Sequence, residues 1–553
     1  MSRRKKLRMG RARLVFLSLS LFGAFAAISA CGGDDPQGTG GSGGSGGAGG
    51  EGFVCFPGET EPCYTGSLPT KDVGACRSGE RTCNPDGSGF GVCAGQVTPV
   101  PDDCATPDID EDCDGVFAPA CPGANLFGSR FGGQGDDEGR SVAFDAAGNL
   151  YATGSFDGSI DFGGGALMSA GGKDVFVVKL GPSGEHIFSK SFGDAAADQV
   201  GLSIAVGADG SAVITGHFAG SIDFGAGSMM SAGGKDVFVA KLSSAGDVVW
   251  ASAFGGAGAL QEGLAASVDG AGDVFVAGVF DGTLDVDGTP HVSLGGQDAF
   301  VAKLASATGG RLWSVALGGA GKQSARALAV DKDGNALVGG GFEDSIAVGA
   351  SAALSAGGED AFYAKLGSEG GAPMALAQYG DAMNQAITGI AAGGDGGYVI
   401  AGRFEGAIDF GGGPLAGAGA EDIFIASYNA AGELVFAKGF GDKSSQIVEG
   451  IAVDAAGAIV MAGRFAGSLD LGHKPPLPGS DAFDIFIGKL DAAGAYVYGY
   501  AYGGTFDQVA LGVAVDSMGN AAVTGSYFGS IQFGADPLPS AGQRDVFIVK
   551  MAP

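Results

Sequence analysis

The chain has 553 residues, enough for more than one domain, and combines 109 glycines with only 17% charged residues. That profile fits turn-rich all-β structure and not a helical fold, while 45% hydrophobic residues and 36 phenylalanines exclude disorder throughout. The formal charge is −30, and seven of the 31 basic residues lie in the first 30 positions, so the remainder repels nucleic acid and anionic membrane surfaces.

Residues 1–30 read as a signal peptide, with a basic stretch ending at Arg13, an apolar run over 14–27 and a small-residue end, Ile28-Ser29-Ala30. The run is short for a spanning helix, and glycine-rich sequence follows it at once. Together with Cys31, the segment Ile28-Ser29-Ala30-Cys31 resembles the lipobox of bacterial lipoproteins. The resemblance implies cleavage before Cys31, acylation of its thiol and a lipid anchor, firm when two or more chains insert. It implies export and attachment to the cell envelope, at the outer membrane or cell surface. Residues 31–52, rich in Gly and Ser, are a flexible tether.

Residues 53–123 carry a dense cysteine cluster: Cys55, Cys63, Cys76, Cys83, Cys93, Cys104, Cys113 and Cys121. An even cluster in an exported chain reads as a disulfide framework. The gaps of 6 to 12 residues, without a Cys-x-x-Cys or a nearby His, are poor zinc spacing. Which cysteine pairs with which stays open. At the end of the module Asp108, Asp110, Asp112 and Asp114 alternate with other residues and precede Gly115. Such alternation can gather hard oxygen ligands for calcium, or it can be a solvated acidic turn stapled by Cys104 and Cys113. The stretch Asp110-Glu111-Asp112-Cys113-Asp114-Gly115 resembles cysteine-rich metal-binding repeats of bacterial surface proteins.

Residues 124–553 are dominated by internal repetition. The pattern Lys-Asp-Val-Phe-Val-Ala-Lys-Leu at 235–242 returns with small changes, its Asp at 174, 236, 298, 360, 422, 484 and 545, a spacing of 62 five times and then 61. Each repeat holds four β-patterned runs bounded by turn residues; in the second they cover 202–206, 212–216, 237–242 and 248–254. Four short strands per repeat predict a seven-bladed β-propeller. After the seventh third strand no fourth follows, but residues 126–132 match the fourth-strand pattern of 187–193. The first strand of the array is therefore expected to complete the last blade, a one-plus-three closure that leaves no long open edge. The segments Phe192-Gly193, Gly220-Ser221-Ile222-Asp223-Phe224-Gly225 and Ser231-Ala232-Gly233-Gly234-Lys235-Asp236 resemble the SBBP β-propeller repeats of bacterial cell-surface proteins. That resemblance implies a propeller at the cell surface and no single activity.

Antiparallel order puts the links from strand two to three and from four to one on one face, and these long links are the expected recognition face. Three positions recur there: Asp161, Asp223, Asp285, Asp409 and Asp470; Gln199 and its equivalents, with Asp137 in the first repeat; and the Asp174 series. They form either a polar ring at the pore mouth, suited to a cation or glycan, or repeated turn and inter-blade hydrogen bonds, and repetition in nearly every blade favours the second. Lys179 stands an odd five residues after Asp174, on the opposite strand face. The four histidines fall in different repeats at no ligand spacing and are expected at the surface. No nucleophile elbow, phosphate loop or sialidase-type box is present. The expected function is a monomeric, non-catalytic scaffold that engages an extracellular protein, glycan or matrix, with no catalytic residue and no cofactor other than calcium. The alternative is an extracellular polysaccharide hydrolase or lyase.

Overall fold

The computed structural model describes residues 54–67, 70–99, 113, 122–195, 197–534 and 537–553. Cys31, Cys104, Cys121, Asp108, Asp110, Asp112 and Asp114 lie outside the described residues. These form two compact units, one of residues up to Thr65 with Ser78–Gln96, the other of Gly66–Arg77 with Val97–Pro553.

The small unit pairs Thr60–Cys63 with Gly79–Thr82 in a two-stranded sheet. Two disulfides, Cys55–Cys83 and Cys63–Cys93, close it, and Arg81 bridges Glu61 at 2.5 Å beneath the Phe90 ring. The third disulfide, Cys76–Cys113, belongs to the other unit. Of the two cysteines read as stapling the acidic turn, Cys113 reaches back to Cys76, and Cys104 lies outside the described residues.

The large unit is all-β: seven four-stranded antiparallel sheets, with no α-helix among the described residues. Blade two runs Gln199–Val206, Ala212–Phe218, Asp236–Leu242 and Val248–Phe254. First strands of neighbouring blades lie against one another and face the axis, and fourth strands form the rim. Blade seven takes Gln508–Val515, Ala521–Tyr527 and Asp545–Met551 from the end of the chain and Asn125–Phe131 from its other end. The register pairs Phe131 with Val546 and Phe127 with Lys550, so the one-plus-three closure read from the repeat count is present.

One phenylalanine per blade anchors the packing. Phe238 in strand three is fully buried, as are Phe176, Phe300, Phe362, Phe424, Phe486 and Phe547. Its ring lies over Gly216 of strand two, where a β-carbon would stand 3.0 Å from the ring and 1.9 Å from the Val200 carbonyl oxygen. Only glycine permits that approach, and an equivalent glycine occupies strand two of every blade.

The long link between strands two and three is more ordered than its sequence suggests. Ser221–Asp223 and Ser228–Met230 form a hairpin that turns Ile222 and Phe224 into the core, with the Phe224 ring 4.6 Å from that of Phe192. Each repeat thus has six strands. The extra two were missed because two to four residues are too few to show a period.

Candidate functional site

The recurring polar positions are hydrogen-bonded within the fold, except that Oδ1 of every Asp in the Asp174 series and one side-chain polar atom each of Gln261, Gln323 and Gln508 are buried without a hydrogen-bond partner among the described residues. The Asp223 Oδ1 accepts from the backbone N–H groups of Gly225 and Gly227 at 2.6 and 3.2 Å. Asp161 and Asp409 do the same for Gly163 with Gly165 and for Gly411 with Gly413. Asp285 takes Gly288 at 2.6 Å and Asp470 takes Gly472 at 2.8 Å. These are Asx turns on the hairpins, which lie against the fourth strands at the rim. The five carboxylates are thereby distributed among five hairpins and are not brought together.

The Gln series joins blades through its backbone, and the Asp174 series ties down the two-to-three link of its own blade. The Gln199 amide N–H groups donate to the carbonyls of Ala219 and Ser221, and its backbone N–H donates to Lys173 O of the preceding blade at 2.7 Å. Each Asp of the Asp174 series is buried and accepts the backbone N–H four residues earlier, as Ala170 to Asp174 at 2.9 Å. Burial holds the carboxyls of Asp174, Asp236, Asp298, Asp360, Asp422 and Asp545 above their usual range, against those N–H bonds. Lys179 stands on the opposite face and pairs with Asp145 at 3.1 Å over the Tyr151 ring.

The histidines divide. His473 is exposed and stacks on Tyr496, and His186 and His291 are half-buried beside Ser189 and Ser314. His217 departs from the expected surface position: it is buried, its Nδ1 lies 3.2 Å from Glu262, and burial lowers its pKa to about 4.

What differs between blades is the axis. In every first strand the register against strand two skips one residue, for example Leu202 between Gly201 and Ser203. A bulge leaves that residue unpaired and re-aims its side chain. The seven bulged residues are Arg140, Leu202, Leu264, Arg326, Thr388, Glu449 and Leu511. The same seven line a cavity of about 270 Å³, the central channel. Around it, the residue before each repeated Asp also changes from blade to blade: Lys173, Lys235, Gln297, Glu359, Glu421, Phe483 and Arg544.

Ion pairs connect the two sets. Arg326 reaches Glu359 at 2.6 Å, and Glu359 also receives Arg403 at 3.4 Å. Arg140 pairs with Glu138, which Arg544 contacts at 2.5 Å. Arg464 holds Glu449 at 3.3 Å. Burial raises the Glu449 carboxyl above its usual range, opposed by Arg464, Arg403 and Arg140. The channel therefore presents both signs of charge on an apolar, leucine-lined wall. Sequence reading passed over these residues because it took strand one of the second repeat as a plain run over 202–206, with no bulge to set Leu202 apart. The available signal was the alternation of Arg, Glu, Thr and Leu at one place in otherwise apolar strands.

No protein-family sequence profile matches the chain. No curated protein sequence matches it either. Among solved structures it is similar to the quinohemoprotein alcohol dehydrogenase ADHIIG of Pseudomonas putida HK5, at 10% identity and a TM-score of 0.38 over 76% of each chain. It is similar to BamB of Moraxella catarrhalis at 14% identity and a TM-score of 0.32, over 77% of this chain and 97% of that one. It is also similar to Sqt1 of Saccharomyces cerevisiae at 9% identity and a TM-score of 0.37, over 78% of this chain and all of that one.

Proposed function

We propose that the chain is an exported, non-catalytic binding scaffold, held to the cell envelope through Cys31, whose propeller engages a protein, glycan or matrix component along its axis. The observation that carries this reading is the channel ring. Seven equivalent bulges bring blade-specific side chains together, whereas the repeated carboxylates and amides are spread over separate blades and hydrogen-bond turns and links of their own blade. Recognition needs positions that vary around a rigid frame, and the ring supplies them. Disulfides among the described residues fit an oxidising compartment.

For the channel, the test is a glycan and peptide array probed with the full chain and with Arg140→Ala, Arg326→Ala and Glu449→Gln, beside a turnover assay on extracellular polysaccharides. The variants are expected to weaken binding by roughly tenfold each, the effect of losing one charge-assisted contact, with unchanged melting. Turnover abolished by a single carboxylate substitution would replace this reading with the hydrolase or lyase. For the anchor, Cys31→Ser is expected to move the protein from the membrane fraction to the soluble fraction, and unchanged membrane association removes the lipid-anchor reading.

A further inference from the structure

The third residue of each fourth strand faces the next blade. Six of the seven are aromatic: Phe127, Phe188, Trp250, Trp313, Phe436 and Tyr498. Their strand-three partners confirm the equivalence, with Lys179 opposite Phe188, Lys241 opposite Trp250 and Lys303 opposite Trp313. Each ring lies on the glycine of the following three-to-four turn. A β-carbon on Gly309 would stand 2.5 Å from Trp250, one on Gly371 2.7 Å from Trp313, and one on Gly494 2.8 Å from Phe436. At the closure seam Gly123 takes the turn position and meets Tyr498 at 2.9 Å.

Blade four breaks this rule. Opposite Lys365 stands Ala375, exposed at the surface. The glycine it should cover, Gly432 (φ +79°), has no neighbouring atom within 4 Å of a β-carbon position. In the place of the missing ring is a cavity of about 340 Å³ between blades four and five, at the low end of the size range of ligand pockets.

The walls of this cavity also depart from the repeat. Tyr363 stands where other blades have Val or Ile, Tyr398 where they have Leu, Ala, Val or Ile, and Tyr428 where they have Leu or Met. The three rings stack, Tyr363 on Tyr398 at 4.8 Å and 4°, Tyr398 on Tyr428 at 4.8 Å and 13°. The Tyr428 hydroxyl donates to that of Tyr379 at 3.1 Å, and Lys365 pairs with Asp331 at 2.8 Å on the cavity wall. Simple repacking by the added tyrosines would have closed the space over Gly432, and it is open.

The sibling blades serve as a template for the occupant. Trp250 and Trp313 each fill the equivalent space and donate their indole N–H to a turn carbonyl of the next blade, Ser306 O at 2.9 Å and Ser368 O at 3.1 Å. The matching turn residue in blade five is Ala430, which lines the cavity. We propose that the blade four–blade five cavity is a binding site for a planar aromatic group of indole size, seated on Gly432 beside the tyrosine stack with its N–H toward the Ala430 carbonyl. Such a ring comes either from a tryptophan side chain of a polypeptide or from a free indole compound. The site is separate from the channel, and its success or failure is independent of the scaffold reading.

The test is isothermal titration of the full chain with N-acetyltryptophanamide, with a tryptophan-centred pentapeptide, and with methyl glucoside as control. Saturable binding of the amide is expected, reduced by roughly tenfold or more in Ala375→Trp, which supplies the ring in cis and competes for the same volume. Ala375→Trp should also melt no lower than the parent. A peptide bound more tightly than the amide assigns the ring to a polypeptide, and equal binding assigns it to a small molecule. Tyr398→Leu, which restores the aliphatic residue of sibling blades, should weaken the amide while the fold is kept. No binding of the amide, equal binding by Ala375→Trp, or a marked fall in its melting temperature overturns the proposal. So does methyl glucoside binding in preference to the amide.

Discussion

A chain lacking residues 124–131 loses its seventh blade. Asn125–Phe131 is the outer strand of that blade and pairs with Asp545–Met551 along its length. Without it, the last strand becomes an unpaired edge, which invites association between molecules. Phe127 and Phe131 leave the cluster that contains Val142, Phe162 and Ile548. Arg130, whose Nη1 lies 2.9 Å from the buried Asp545 carboxylate, leaves with them. Lost apolar burial and a buried charge stripped of its partner together cost on the order of 5–10 kcal/mol, comparable to the whole stability of a folded domain. Hydrogen exchange should show protection lost first over 508–551 and next in the flanking blades one and six, because each blade contacts only its neighbours. Calorimetry should show a lower and broader transition, with aggregation on heating. A truncated chain that melts like the parent, with blade seven still protected, would mean that the closing strand contributes nothing to the ring.

That closure was legible because it depends on pattern alone: residues 126–132 repeat the fourth-strand motif of 187–193, and the count of strands closes only if they are moved. The blades were legible for the same reason, a period of 62 with a strand-three Phe and a strand-two Gly in each copy. Less visible was whatever breaks the local period. The bulge at Leu202 shifts the alternation of strand one by a residue, so the channel-facing side chains sit out of phase with the strand that carries them. The rim hairpin, with three residues on each side, is too short to register. The recurring Asp and Gln residues were visible as positions, and only the hydrogen bonds reveal that their side chains bind turns and links of their own blade. Cysteine pairing was beyond sequence, since eight thiols allow many partners; Cys76–Cys113 joins residues 37 apart. The vacancy at Ala375 is legible only in retrospect. An alanine at a strand position is unremarked until six sibling aromatics show what it lacks.

Asp137→Gln is expected to flatten the pH dependence of stability. At the seam between blades seven and one, Asp137 takes the place that glutamine holds in the other six blades. It is fully buried and faces Asp545, whose Oδ1 would lie 2.5 Å from a β-carbon on Gly132, with Asp137 Oδ2 2.8 Å from the same point. Arg130 pairs with Asp545, while Arg544 and Lys173 are engaged by Asp136 and Glu138. Burial, helped by the charges of Asp545 and Asp136, raises the Asp137 carboxyl to about 6 against the N–H bonds of Gly133 and Asp157. An acid whose folded pKa exceeds its unfolded value of 3.8 holds its proton more tightly in the folded state. Its contribution is therefore fully present below pH 3.8 and lost as pH rises through about 6. A shift of this size corresponds to about 3 kcal/mol between those limits. Glutamine removes the titration and, as Gln199 does for Ala219 and Ser221, can donate to the equivalent carbonyls of Asp157 and Ser159. The parent also contains carboxyls that titrate in the opposite sense, Asp145 and Asp516 among them, so the difference between the two proteins is the readout. Melting temperatures from pH 4 to 7.5 should favour Asp137→Gln increasingly as pH rises. Parallel curves for the two proteins would show that the seam carboxyl is ionised throughout and that its burial costs nothing.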